Sequence, residues 1–379
     1  MKVVADRNIP CVEQAFADFG EVELIPGRDI RAHHLRDCRC LVTRTVTRVD
    51  ADLLDGSAVE FVGTATIGTD HLDLDYLDRA GIACSNAAGC NAESAAEYVV
   101  SGLFALSRQR DFDPFRLKAG IVGCGNVGSN LVEKLRILGI EHRVCDPPLQ
   151  ALGDSRHDYQ SLDTLLDECD FISLHVPLTR DGDHPTFHLL DSARLHRLKR
   201  GCVLVNAARG EVVDNAALLA LLDQRDDLCL FLDTWENEPL ISRDLLRRVD
   251  LASPHIAGYS VEGRLRGTQM VLDAASRHFG VSPGWNMNEL LPEPRELDVR
   301  DMGSGLAFWR GLMARHCDPG RDHMALLEAI DRGDNDFRSH FDSLRRVYPD
   351  RLEYPRWRLR VDPARQPVSL LEQLGFKLA

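Results

Sequence analysis

The sequence predicts an α/β protein whose two larger units are Rossmann-like parallel-sheet domains, followed by a smaller α+β unit at the carboxyl end. Three observations carry this. Over roughly the first three-quarters of the chain, strand-length apolar runs alternate with helical patterns, the layout that gives parallel strands joined by crossover helices. The 379 residues exceed what a single hydrophobic core normally serves, so more than one domain is expected. A proline- and acid-rich stretch, residues 283–295, then separates these alternations from a differently patterned tail.

Taken in order, strands are predicted at residues 2–5, 22–25, 40–43, 60–62 and 82–84, with helical patterns at 12–19, 51–54 and 74–79 between them. A long helix is predicted over 91–107, with Asn91 as a cap and Glu93 and Glu97 near the positive end of its dipole. The next unit has apolar runs of strand length at 119–122, 142–145, 171–176, 202–206 and 229–232, and a helix over 261–279 leaves it. In the tail, 306–314, 324–329 and 337–347 read as helices. Trp357, Leu359 and Val361 alternate with arginines as in a half-buried strand.

Composition narrows the function. Lys plus Arg number 45 against 59 Asp plus Glu, a formal charge of -14, which disfavours nucleic acid and anionic membrane as partners. Eleven cysteines without a CxxC pair argue for a reducing compartment and offer no zinc site. The opening MKVVADRNIP has too short an apolar run for a secretory signal, and no run of apolar residues is long enough to span a membrane. The expected location is the cytoplasm, and no metal is expected.

The most informative segment is Gly123-Cys124-Gly125-Asn126-Val127-Gly128, set between a strand and a helical pattern. A second strand then ends at Asp146, 18 residues past Gly128. Gly123 permits a tight turn, Gly125 keeps a Cβ out of the path of a pyrophosphate, and Gly128 allows close packing of helix and sheet. Asn126 and Val127 open the helix, whose amino end offers free N–H groups to phosphates. Asp146 can accept from ribose hydroxyls and would repel the extra phosphate of NADP. The cofactor predicted is NAD.

Open parallel sheets bind ligands at the carboxyl ends of their strands, so chemistry is expected where the loops of the two units face each other. Arg209, Glu238 and His255 each follow such a strand. Histidine can take a proton from a hydroxyl near neutral pH, a carboxylate beside it favours the imidazolium, and arginine offers a fork for a substrate carboxylate. Taken singly, each is weak evidence, since a solvated, paired or packed structural role is the commoner one for such a residue.

The runs GIVGCGNVG, CDP, HVPLT, LVNAARGEVVDNAAL, FLDTWENEP and SPHIAGYS follow one another in this order. Together they resemble the landmarks of the NAD-dependent D-2-hydroxyacid dehydrogenases, a likeness that covers residues 1–280. The resemblance implies that Arg209 binds the substrate carboxylate, His255 is the acid/base and Glu238 its paired acid. It implies that Asp146 meets the ribose and Asp233 the nicotinamide carboxamide. Ala207, Ala208 and Gly258 match cofactor contacts, and His175 opens a loop near the adenosine and pyrophosphate. Residues 108–118 are shorter than in most relatives.

Within that family, GTATIGTDHLD (63–73), AAGCNAESAAEYV (87–99) and the extra tail resemble a branch that acts on a phosphorylated four-carbon acid. That likeness implies NAD-dependent oxidation of 4-phospho-D-erythronate to 2-oxo-3-hydroxy-4-phosphobutanoate, a step toward pyridoxal 5'-phosphate. Thr45, Thr66 and Tyr259 match substrate contacts. It implies a flavodoxin-like substrate domain of residues 1–90 and 259–283, an NAD-binding domain of 91–258, and a homodimerisation domain of 284–379. The tail's aromatic residues, Phe308, Trp309, Phe337, Phe341, Tyr348, Tyr354 and Trp357, fit either a dimer interface or an internal core. Arg44 is the expected phosphate ligand, unless it pairs with a carboxylate, and Arg338, Arg345, Arg346, Arg356 or Arg358 is a possible second. The alternatives are a dehydrogenase for 3-phosphoglycerate or hydroxypyruvate, and a nucleotide-sensing protein like the dehydrogenase-related corepressors.

Overall fold

The computed structural model describes residues 1–379. It divides into two compact units, Met1–Asn91 with Ser260–Pro292, and Ala92–Tyr259 with Glu293–Ala379.

In the first unit, β1 (Lys2–Asp6), β2 (Glu21–Ile25), β3 (Cys38–Thr43), β4 (Phe61–Thr64) and β5 (Ala83–Asn86) form a parallel sheet in the order β2-β1-β3-β4-β5. This is the flavodoxin-like order, and each predicted strand is present with ends shifted by one or two residues. The two-residue period of a strand sorts the side chains. Val3, Ala5, Val42 and Phe61 join one apolar cluster with Phe16, while Val4, Leu41 and Val62 join another with Leu35, Leu53 and Leu77. Helix Val261–Phe279 covers the first face through Val271, Leu272 and Ala275. Its approach depends on Gly63, where a Cβ would fall 2.3 Å from Val271.

In the second unit, β6 (Lys118–Val122), β7 (Glu141–Cys145), β8 (Phe171–Leu174), β9 (Val203–Asn206), β10 (Cys229–Leu232) and β11 (Leu251–Ala252) run parallel in the order β11-β10-β9-β8-β6-β7. Strands β8, β9 and β10 are buried at every residue, which is why they read as unbroken apolar runs. The chain order reverses at β6, and the glycine turn follows that strand. A crevice beside such a reversal is where ligands bind in this architecture.

The tail adds β12 (Arg295–Asp298), β13 (Trp357–Arg360) and β14 (Lys377–Leu378) as a small parallel sheet. The predicted alternation holds in β13, with Trp357 and Leu359 buried and Arg358 and Arg360 exposed. Its helices include Gly305–His316, Pro319–Leu327 and Asp334–Arg346. The tail is not isolated from the rest of its unit. Leu326, Phe337 and Phe341 belong to the same apolar cluster as Leu218, Leu245 and Leu246. Phe308, Trp309, Tyr354 and Trp357 are also buried inside the chain, so the aromatic supply is consumed internally. No helix is long and apolar enough to cross a membrane.

Candidate active site

The three glycines of the turn meet three different demands. Gly123 has φ +88°, and a Cβ there would lie 2.8 Å from the His175 carbonyl. At Gly128 a Cβ would fall 1.9 Å from the Gly123 carbonyl oxygen, so only glycine lets the helix Asn126–Leu138 start this close to the turn. A Cβ on Gly125 would meet nothing within 4 Å. Its absence is therefore not demanded by the chain's own packing, which fits a cradle for a ligand. No side chain caps this helix, whose amino end at Asn126 and Val127 remains accessible, and its first N–H groups lack intrahelical partners. These features fit the pyrophosphate of a dinucleotide.

Asp146 stands at the end of β7, and its carboxylate is already in use. Oδ2 accepts the Cys124 amide at 2.7 Å and Oδ1 accepts the Leu149 amide at 3.0 Å, capping a short helix. The acid is thereby tied to the glycine turn, with lone pairs remaining on each oxygen for ribose hydroxyls. His175 continues from β8. Its Nε2 meets the Ser173 hydroxyl at 2.8 Å, its Nδ1 is buried without a partner, and burial pushes its pKa down to about 3. The ring is neutral at physiological pH.

The loop after β11 carries His255, held at φ +58°. A side chain in this left-handed region costs on the order of 1–3 kcal/mol and persists only where its surroundings fix it. Asp233 does this from the end of β10. Its carbonyl accepts the His255 amide at 2.8 Å, and its buried carboxylate accepts the Ile256 and Ala257 amides and, at 2.6 Å, the Ser253 hydroxyl. Burial pushes the Asp233 pKa up, against the opposing pull of His255 and these donors.

His255 Nδ1 lies 2.8 Å from Glu238 Oε2, and Glu238 Oε1 accepts the Trp235 amide at 2.9 Å. Burial alone would raise the Glu238 pKa, but the charge and hydrogen bond of His255, with Arg345 behind them, outweigh it and hold the acid below its ordinary value. An ionised carboxylate only accepts, so Nδ1 carries the proton and Nε2 is left to exchange one. The arrangement suits an acid/base exchanging a proton with a hydroxyl or carbonyl oxygen.

Arg209 follows β9 in a turn organised by Asn206, whose amide donates to the Arg209 carbonyl and whose oxygen accepts the Ala208 amide. The Arg209 guanidinium donates to the Ala208 carbonyl at 2.8 Å. At Gly210 a Cβ would fall 1.9 Å from the Trp235 carbonyl, so the arginine turn and the Glu238 loop are packed backbone to backbone. His188 braces this loop from below, with Nε2 at 2.7 Å from Glu236. Ala207, Ala208, Arg209, Asp233, Glu238, His255, Gly258 and Tyr259 thus lie on the loops that follow three strands of one sheet.

Arg44, Thr45 and Thr66 belong to the first unit. Thr45 is exposed. The Thr66 hydroxyl is 2.9 Å from that of Thr64, which is 3.1 Å from His71 Nε2. Arg44 forms the carboxylate pair left open by the sequence: its Nε donates to the fully buried Asp6 at 2.8 Å. That contact occupies one edge of the guanidinium.

Several supporting residues escaped the sequence reading. Asp6, which accepts from the Asn8 amide as well as from Arg44, lies outside every motif, while Asn206 and Ser253 fall within two of the motifs but act through contacts that a motif does not state. Arg351 donates to the Ala257 carbonyl and lies over the Tyr98 and Tyr348 rings, which both donate to Asp322, at 2.9 and 3.0 Å. The tail is in this way fastened to the histidine loop.

The model of the D-isomer specific 2-hydroxyacid dehydrogenase NAD binding domain matches residues 90–257. Among solved structures, NAD+-bound 3-phosphoglycerate dehydrogenase of Entamoeba histolytica covers 74% of this chain and 95% of its own, at 22% identity and a TM-score of 0.64. D-lactate dehydrogenase of Aquifex aeolicus covers 74% and 96%, at 24% identity and a TM-score of 0.61. These two share the fold. Erythronate-4-phosphate dehydrogenase of Azotobacter vinelandii is 47% identical over 365 residues, 95% of each chain. That of Chromohalobacter salexigens is 43% identical over 381 residues, 100% of this chain and 99% of its own. With likeness running through the tail at this level, the chain belongs to the erythronate-4-phosphate dehydrogenase family of D-isomer specific 2-hydroxyacid dehydrogenases.

Proposed function

We propose that the protein oxidises 4-phospho-D-erythronate at C2, giving 2-oxo-3-hydroxy-4-phosphobutanoate on the route to pyridoxal 5'-phosphate. The observation that carries this is the 2.8 Å pair of His255 and Glu238 on a sheet that also bears the glycine turn, in a chain so similar to enzymes named for that substrate. His255 Nε2 takes the C2 hydroxyl proton. Glu238 makes the resulting imidazolium less costly. Arg209 holds the C1 carboxylate and stabilises charge on the C2 oxygen. Thr45, Thr66 and Tyr259 contact the substrate, and Arg44 offers its unoccupied guanidinium edge to the phosphate. NAD, held by the glycine turn, Asp146, Asp233 and the residues around them, supplies the hydride acceptor.

Formation of NADH with 4-phosphoerythronate tests the reading. Turnover of that acid is expected to exceed that of 3-phosphoglycerate and of unphosphorylated erythronate. A stronger preference for 3-phosphoglycerate would reject it, and NAD binding without turnover of any acid would favour a sensor.

We also propose that the protein works as a homodimer in the cytoplasm, with residues 284–379 as the pairing element. The buried aromatics give this no support. What does is the small three-stranded sheet, whose edge strands β12 and β14 leave pairing groups open, and the prevalence of two-fold symmetry. Because the tail completes the core of its own unit, its deletion would confuse pairing with folding. The mass of the whole chain in solution is the cleaner measurement, and a single-chain mass would exclude the dimer.

A further inference from the structure

Arg345, near the end of helix Asp334–Arg346, is a cation that the chain's own carboxylates do not claim. Its guanidinium carbon lies 5.8 Å from the centre of the Tyr259 ring, and its Nε is buried with no hydrogen-bond partner. No carboxylate comes within salt-bridge distance. Asp342 on the same helix and Glu238 act on it only from farther away, and the Tyr259 side chain lies beside it. Nearby arginines of the unit behave differently: Arg243 pairs with Asp334 and Arg247 with Asp331, both at 2.7 Å.

The position is not accidental looseness of the tail. Tyr348, one turn on, packs edge-on to Tyr259 at 6.3 Å and donates to Asp322, while Arg351 fastens the same segment to Ala257. Arg345 is therefore held beside Tyr259, four residues from His255. A half-buried guanidinium without a counter-ion, in a protein of charge -14, is built for an anion supplied from outside. The substrate proposed above carries two anionic ends. Arg209 takes the carboxylate, and Arg44 is partly neutralised by Asp6.

We propose that Arg345 recognises the substrate phosphate, so that the C-terminal segment supplies a specificity-determining residue of the active site. This rests on the reading of the substrate as a phosphorylated 2-hydroxy acid. The test compares wild-type enzyme with Arg345→Gln and Arg345→Lys on 4-phosphoerythronate and on erythronate, with inorganic phosphate as competitive inhibitor. Arg345→Gln is expected to lower kcat/KM at least 100-fold for the phosphorylated acid, chiefly through KM, and at most tenfold for erythronate, for which only the guanidinium's pull on the Glu238 carboxylate is lost. It should weaken phosphate inhibition tenfold or more. Arg345→Lys, which keeps the charge but not the fork, should recover part of both. Equal losses on the two acids, or unaltered phosphate inhibition in either variant, would overturn the inference while leaving the function intact. Wild-type enzyme that prefers the unphosphorylated acid would instead overturn the functional reading, and the inference with it.

Discussion

His255 Nδ1 and Glu238 Oε2 are 2.8 Å apart, and the second Glu238 oxygen is pinned by the Trp235 amide. The carboxylate thus has one orientation, and it fixes which imidazole nitrogen is available for chemistry. His255→Ala should reduce kcat by about 10²–10⁴-fold, the usual contribution of a general acid/base, with NAD affinity within about twofold of wild type by the same reasoning. Glu238→Gln removes the anion that favours imidazolium. Its kcat should fall less than that of His255→Ala. Near-normal turnover by His255→Ala would remove the histidine from the mechanism.

Asp146 is held by two backbone amides, so it is an anion of fixed position and not a free carboxylate. The extra phosphate of NADP would meet that fixed charge. Wild-type enzyme should prefer NAD at least tenfold in kcat/KM. Asp146→Asn should narrow the preference mainly by losing efficiency with NAD, while its side-chain oxygen can still accept the Leu149 amide, so stability should change little. Equal efficiency with both cofactors in the wild type would count against the assignment.

The second sheet was legible because strands buried on both faces are continuous apolar runs and the glycine turn declares its own geometry. Single contacts are not legible in that way. Nothing about Asp6 in sequence says that it meets Arg44, because their pairing depends on β1 lying beside β3. Segment 283–295 read as a linker, yet Arg295 begins β12, a four-residue strand with mostly exposed side chains and hence no apolar run. The tail's aromatics were visible, but whether they fill a core or a partner surface depends on packing. Phe337 and Phe341 turn out to complete the core beside Leu245 and Leu246.

His316 in the tail is buried, donates from Nε2 to the Leu352 carbonyl at 2.9 Å, and has its pKa pushed down to about 3 by burial, with Arg351 adding to the effect. The unfolded chain takes up this proton near pH 6.5 and the folded chain only near 3. Stability from this group is therefore full above 6.5 and falls by about 1.4 kcal/mol per pH unit below it, about 2 kcal/mol by pH 5. Glu97, 3.4 Å away and raised by burial, contributes with the opposite sign, its stabilisation being lost as pH rises. The difference between wild type and His316→Gln isolates the histidine. Urea unfolding at pH 7 and pH 5 should show the variant losing less stability on acidification, and parallel losses would refute the burial argument.

Gly125 and Gly128 separate ligand binding from folding within a single turn. Gly125 has φ −72° and open space where a Cβ would go, so Gly125→Ala should fold with a melting temperature close to wild type. Its methyl group would occupy the path assigned to the pyrophosphate, and NAD affinity should fall tenfold or more. Gly128→Ala instead places a Cβ 1.9 Å from a backbone oxygen, which rotation of a side chain cannot relieve. Overpacking of this kind costs about 1–3 kcal/mol or more, and the variant should melt several degrees lower before any ligand is added. Calorimetry without and with NAD distinguishes the two effects. If Gly125→Ala bound NAD as tightly as wild type, the open space beside that glycine would not be the pyrophosphate path, and the cofactor would have to approach the helix from another side.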